Sequence, residues 1–62
     1  MSDIKENNSD INTYFENYTT DVDLFLEKGN KAAATRARKS LLEISKLCKD
    51  IRKQIQEIKN GD

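Results

Sequence analysis

A chain of 62 residues, with 35% hydrophobic and 35% charged side chains, has room for one domain at most. At this size folding buries only about 60% of the surface that the unfolded chain exposes, so any core is thin. Eleven basic and eleven acidic residues cancel to zero net charge, there is no histidine, and the one cysteine is Cys48. Those counts exclude an intramolecular disulfide and a Cys-His metal site, so neither metal nor cofactor is expected and a reducing compartment fits. No signal-length apolar run opens the chain and nowhere do about 18 apolar residues follow one another. The expectation is a soluble, unprocessed cytoplasmic protein with no membrane partner.

In the first half, Ile11, Phe15, Tyr18, Val22 and Phe25 recur at alternating steps of four and three, with Ile4 one heptad earlier. That period predicts an amphipathic helix over about 3–28. Gly29-Asn30 follows. Glycine suits the left-handed residue that closes a helix, and asparagine caps the start of the next, so the pair predicts a tight turn. One helix running straight through Gly29 costs only about 1 kcal/mol relative to alanine and is the competing arrangement. Beyond the turn, Ala34, Ala37, Leu41, Ile44, Cys48, Ile51, Ile55 and Ile58 repeat the same steps through nearly four heptads, predicting a second helix over about 31–59.

The fold class expected is therefore all-α, an antiparallel helical hairpin occupying the whole chain. Folding back at residues 29–30 brings Phe25 near Ala34, Val22 near Ala37, Tyr18 near Leu41, Phe15 near Ile44 and Ile11 near Cys48. Large side chains then oppose small ones beside the turn. Tyr14, Leu26, Leu42 and Leu47 lie off this seam, and two helices alone leave much of it half exposed. Self-association into a four-helix bundle covers it, so a homodimer is expected, with a tetramer as the larger solution. The plainer account treats Leu26 and Leu42 as isolated surface residues.

Zero net charge hides an asymmetry. Residues 1–27 carry a net charge of −6, residues 28–40 carry +5 and residues 41–62 carry +1. The middle block holds Lys28, Lys31, Arg36, Arg38 and Lys39 among alanines 32, 33, 34 and 37, without a single acid. A low basic helix start suits a phosphate backbone, its first amides add donors, and Thr35 and Ser40 offer hydroxyls. Two structural accounts compete. Arg36 and Arg38 lie opposite Asp23 and Asp21, with Lys28 and Lys31 near Glu27, so the block could be half of an ion-pair array; exposed pairs are worth only about 0–1 kcal/mol each. Alternatively, it is a solvated, alanine-rich helix face.

An enzyme is not expected. The chain lacks histidine, a glycine-rich phosphate loop and an evident carboxylate pair, and is too short to enclose a substrate. Tyr14 and Tyr18 read as packing residues, and Cys48 as a small core residue. No base-reading motif is visible, so any nucleic-acid contact falls on phosphates, with Lys46, Lys49, Arg52 and Lys53 as secondary contacts.

The segment EKGNKAAATRARKSLLEISKLCKDIRKQ, residues 27–54, resembles the helical segment of the chlamydial linker-histone-like proteins and their short bacterial relatives. The shared element is Gly-Asn-Lys-Ala-Ala followed by arginine-x-arginine. The resemblance implies a nucleoid-associated protein that binds double-stranded DNA without sequence preference and helps organise or compact it. The implied contacts are Lys28, Lys31, Arg36, Arg38 and Lys39, with Gly29 and Asn30 as the turn, and Thr35 joins them by its place on the same helix strip. The packing and oligomer residues, read from the heptad spacing, are Ile11, Phe15, Tyr18, Val22, Phe25, Leu41, Ile44, Cys48, Ile51 and Ile55. The longer relatives carry a lysine- and alanine-rich tail, which is not expected here, and the first 27 residues of this chain are acidic. The alternative is a helical oligomerisation or interaction module whose basic tip meets an acidic protein.

Overall fold

The computed structural model describes residues 2–61, with side chains from residue 4 onward, as two helices: α1 (Ser2–Lys28) and α2 (Lys31–Gly61). They lie side by side as an antiparallel hairpin within a rod of 50 × 14 × 12 Å. The turn is built as its two residues dictate. Gly29 has φ 65°, the left-handed region that costs other residues about 1–2 kcal/mol, and its N–H donates to the Phe25 carbonyl at 2.9 Å. Asn30 caps α2, its Oδ1 accepting the Ala33 N–H at 3.0 Å while its carbonyl accepts the Ala34 N–H at 3.2 Å. A single continuous helix is thereby ruled out.

The seam between the helices is rotated from the one that hydrophobic spacing suggests. On α1 the sheltered positions are Ile4, Asn7, Ile11, Tyr14, Tyr18, Asp21, Val22 and Leu24; on α2 they are Ala33, Ala34, Ala37, Ser40, Glu43, Ile44, Leu47, Ile51 and Gln54. Ala33, Ala37 and Ser40 are the buried ones, at 0%, 5% and 9% exposure. Small residues there let the two backbones approach, and the turn holds them together.

Of the residues expected to form the core, Ile11, Tyr18, Val22, Ile44 and Ile51 are half-buried. Phe15, Phe25, Leu41 and Ile55 are 58%, 42%, 45% and 52% exposed, and Cys48 is exposed as well. Cys48 is therefore not a core residue of the hairpin, and Leu47 takes the place expected for it. The register along the rod holds nonetheless. Asn7 Nδ2 donates to Gln54 Oε1 at 3.2 Å near the open end, and Asp21 meets Arg36 nearer the turn. Both links straddle the level pairing of Phe15 with Ile44. What differs is rotation about each helix axis.

Candidate functional site

Helical spacing sorts the surface of the rod into four strips. One open face, along both helices, carries Phe15, Val22 and Leu26 from α1 with Leu41, Cys48 and Ile55 from α2. The opposite open face is polar, a shallow groove lined by Tyr14, Asn17, Asp21, Arg36, Lys39, Ser40 and Glu43 among others. The outer edge of α1, away from its partner helix, carries Glu6, Glu16, Asp23 and Glu27 with only Lys5 against them, all exposed.

The outer edge of α2 is the reverse. Lys31, Thr35, Arg38, Leu42, Ser45, Lys46, Lys49, Arg52, Lys53 and Gln56 follow one another along it, all exposed, without one carboxylate. From Lys31 to Lys53 the strip runs about 33 Å at 1.5 Å per residue. Lys49, Arg52, Lys53 and Gln56 line one shallow depression on it, and Thr35, Arg38, Lys39, Leu41 and Leu42 line another. The acids of α2, Glu43, Asp50 and Glu57, fall at seven-residue intervals on the polar flank instead. The zero net charge thus resolves into a transverse dipole, basic along one edge and acidic along the other.

The basic block is contiguous in sequence but divided in space. Lys31, Thr35 and Arg38 stand on the outer edge of α2. Arg36 and Lys39 line the polar groove, and Lys28 ends α1. Arg36 is consumed internally: its Nε and Nη2 donate to one Asp21 carboxylate oxygen at 3.2 and 3.1 Å. The Asp21 side chain is only 13% exposed, against 53% for Arg36. The ion-pair array expected across the hairpin therefore shrinks to one pair, and Asp21 rather than Asp23 holds Arg36. Lys28, Lys31, Arg38 and Lys39 make no ion pair among the described residues.

Three expected phosphate donors are placed differently. The Thr35 hydroxyl donates back to the Lys31 carbonyl at 3.3 Å, Ser40 is buried between the helices, and the Ala33 amide is taken by the Asn30 cap. The cations that spacing left as secondary, Lys49, Arg52 and Lys53, are exposed and without an ion-pair partner among the described residues; Lys46 touches Glu43 at 3.7 Å. Their signal was the heptad step that carries Lys31 onto Arg38 and, two steps further, onto Arg52. No group of three metal-ligating side chains occurs among the described residues, and no described helix is long and apolar enough to cross a membrane.

The family model for histone H1-like protein Hc1 matches residues 5–61, which takes in both helices and the turn. The chain belongs to the Hc1 family. The match extends well beyond the residues that carry the sequence resemblance, reaching over the acidic α1 and to the end of α2. No curated protein and no solved structure matches the chain.

Proposed function

We propose that this Hc1-family chain is a nucleoid-associated, non-enzymatic DNA-binding protein that contacts duplex phosphates without sequence preference and helps organise or compact DNA. The observation that carries this reading is the outer edge of α2, an acid-free strip whose lysines and arginines are almost all unpaired among the described residues. Stability gives little reason for such a strip, since isolated surface charges contribute almost nothing to folding, whereas a polyanion gains from each cation it meets. The histone-type family points the same way. Lys31, Arg38 and Lys39 are assigned direct contacts, Lys28 joins them at the turn, and Gly29 and Asn30 fix where that end of the strip begins. Thr35 lies on the strip with its hydroxyl already donating to the Lys31 carbonyl, and Arg36 reaches DNA only by leaving Asp21. Lys46, Lys49, Arg52 and Lys53 continue the contact towards the open end.

Self-association belongs to the same reading. Phe15, Leu41 and Ile55 stand 45–58% exposed on one face of a thin rod, and a second copy is the partner that covers them with matching chemistry. Fluorescence anisotropy of a random duplex, titrated at increasing salt, tests the DNA assignment. With about three to five phosphates met per protomer, log affinity falls against log salt with a slope of about −3 to −5. A slope near zero, or an oligomer that leaves the duplex unshifted in light scattering, rejects it in favour of an interaction module.

A further inference from the structure

Among the described residues of the outer edge of α2, Leu42 is the single large apolar side chain, and it is 56% exposed. We propose that Leu42 enters the minor groove of the bound duplex as a wedge between two base pairs, so that the protein bends the DNA it contacts. This rests on the DNA reading above and adds the mode of engagement to it.

The position of Leu42 removes it from both packing surfaces of the hairpin. A helix turns about 100° per residue, so Leu42, two positions beyond the buried Ser40, lies about 200° around α2 and faces directly away from α1. Leu41 lies about 100° back, on the apolar face with Cys48 and Ile55. A partner seated on that face leaves Leu42 bare.

Leu42 is also the midpoint of the basic strip. Lys31 and Lys53 stand eleven residues to either side of it, and Arg38 and Lys46 four. Those four residues are about 6 Å along the helix axis. Arg38 has no ion-pair partner among the described residues, and the contact of Lys46 with Glu43 at 3.7 Å is an exposed one that a phosphate readily displaces. Leu42 shares a shallow depression with Thr35, Arg38, Lys39 and Leu41, in which two leucines sit beside two cations.

The order cation, apolar residue, cation suits a groove crossed from one rim to the other. The minor groove is about 6 Å wide and a helix about 10–12 Å thick, so α2 rides over the two backbones and does not enter between them. Arg38 and Lys46, about 12 Å apart along the axis, then stand over the two phosphate rims, and Leu42 is the side chain centred between them. A leucine gains nothing from a phosphate; the apolar surface that a duplex offers is its stacked bases. Apolar wedges in the minor groove part a base step and kink the duplex by about 20–90°. Seating α2 in the major groove instead aims Arg38 and Lys46 at base edges, a contact that selects guanine and conflicts with binding that ignores sequence.

Ring closure by ligase of a duplex of about 100 base pairs, shorter than the persistence length of about 150, reads the bend. The full chain should raise the yield of circles several-fold, and Leu42→Gln should return it to the protein-free level. Glutamine is nearly as good a helix former as leucine and no phosphate contact is lost, so circular dichroism and the salt slope of single-duplex binding should keep their parental values. A duplex with one central mismatch has already lost part of its stacking, so the full chain should bind it about tenfold more tightly than the matched duplex, and Leu42→Gln should bind both alike. Circles that the full chain does not increase, circles that Leu42→Gln increases equally, or equal affinity of the full chain for matched and mismatched duplexes overturns the inference. So does weaker binding when uracil replaces thymine, which sets Leu42 against thymine methyls in the major groove. In each of those cases salt-dependent binding of the single duplex leaves the DNA assignment standing. Absence of single-duplex binding overturns that assignment and the wedge with it.

Discussion

Neutralising cations on the outer edge of α2 should weaken DNA binding far more than neutralising Arg36, although Arg36 lies inside the densest basic run of the sequence. Lys49 and Lys53 sit on the exposed strip with no ion-pair partner among the described residues, whereas Arg36 spends two N–H donors on Asp21. Each phosphate contact contributes about 0.9 to the salt slope, so losing two lowers its magnitude by about 1.8 and, near 0.1 M salt, costs roughly 60-fold in affinity. Glutamine is nearly as good a helix former as lysine, so Lys49→Gln with Lys53→Gln should leave helicity intact. Arg36→Gln should leave the slope unchanged and destabilise the hairpin by up to about 1 kcal/mol, since the arginine side of the pair is open to solvent. Anisotropy at four or five salt concentrations, with circular dichroism as the control on folding, reads both effects. The reasoning fails if the double lysine variant keeps the parental slope, or if Arg36→Gln flattens it.

The seam makes predictions of its own. Ala37→Leu forces three more heavy atoms into a position 5% exposed between two close backbones, and should cost about 1–3 kcal/mol, visible as a lower melting temperature. Asn30→Ala removes the side-chain acceptor for the Ala33 amide and should cost about 1 kcal/mol, or roughly 4–8 °C in a domain of this size. Replacing both Asn7 and Gln54 by leucine should raise the melting temperature while broadening amide spectra, because their mutual hydrogen bond fixes one register that two leucines would not.

The turn and the hairpin could be read directly from residues 29 and 30, since a left-handed glycine followed by an asparagine cap is local chemistry that tertiary contacts need not supply. The period of the helices could be read as well. Its phase could not. Two overlapping stripes run along α1, Ile11-Phe15-Tyr18-Val22-Phe25 and Ile4-Asn7-Ile11-Tyr14-Tyr18-Asp21, and hydrophobicity favours the first. The hairpin packs on the second, admitting Asn7, Asp21, Ser40 and Gln54 to its seam. Exposed Phe15 and Phe25 widen the apolar sector of α1 beyond its contact with α2, so hydrophobic weight locates the sector and not the contact. Choosing Asp21 over Asp23 as the partner of Arg36 depends on the same rotation, because residues two apart on a helix face nearly opposite ways. The basic edge was hidden for a related reason: dense clustering in residues 28–40 draws attention to sequence neighbours, while the cations that share a surface recur every third, fourth and seventh residue.

The most direct test of the central claim is to map amide chemical shifts of the free chain against those with a short random duplex. The account predicts perturbations that recur along the outer edge of α2, at Lys31, Arg38, Lys49, Arg52 and Lys53, and fade as salt rises, with Glu6, Glu16 and Glu27 on α1 unmoved. Shifts centred on the acidic edge of α1, or confined to the groove around Asp21 and Arg36, would contradict it.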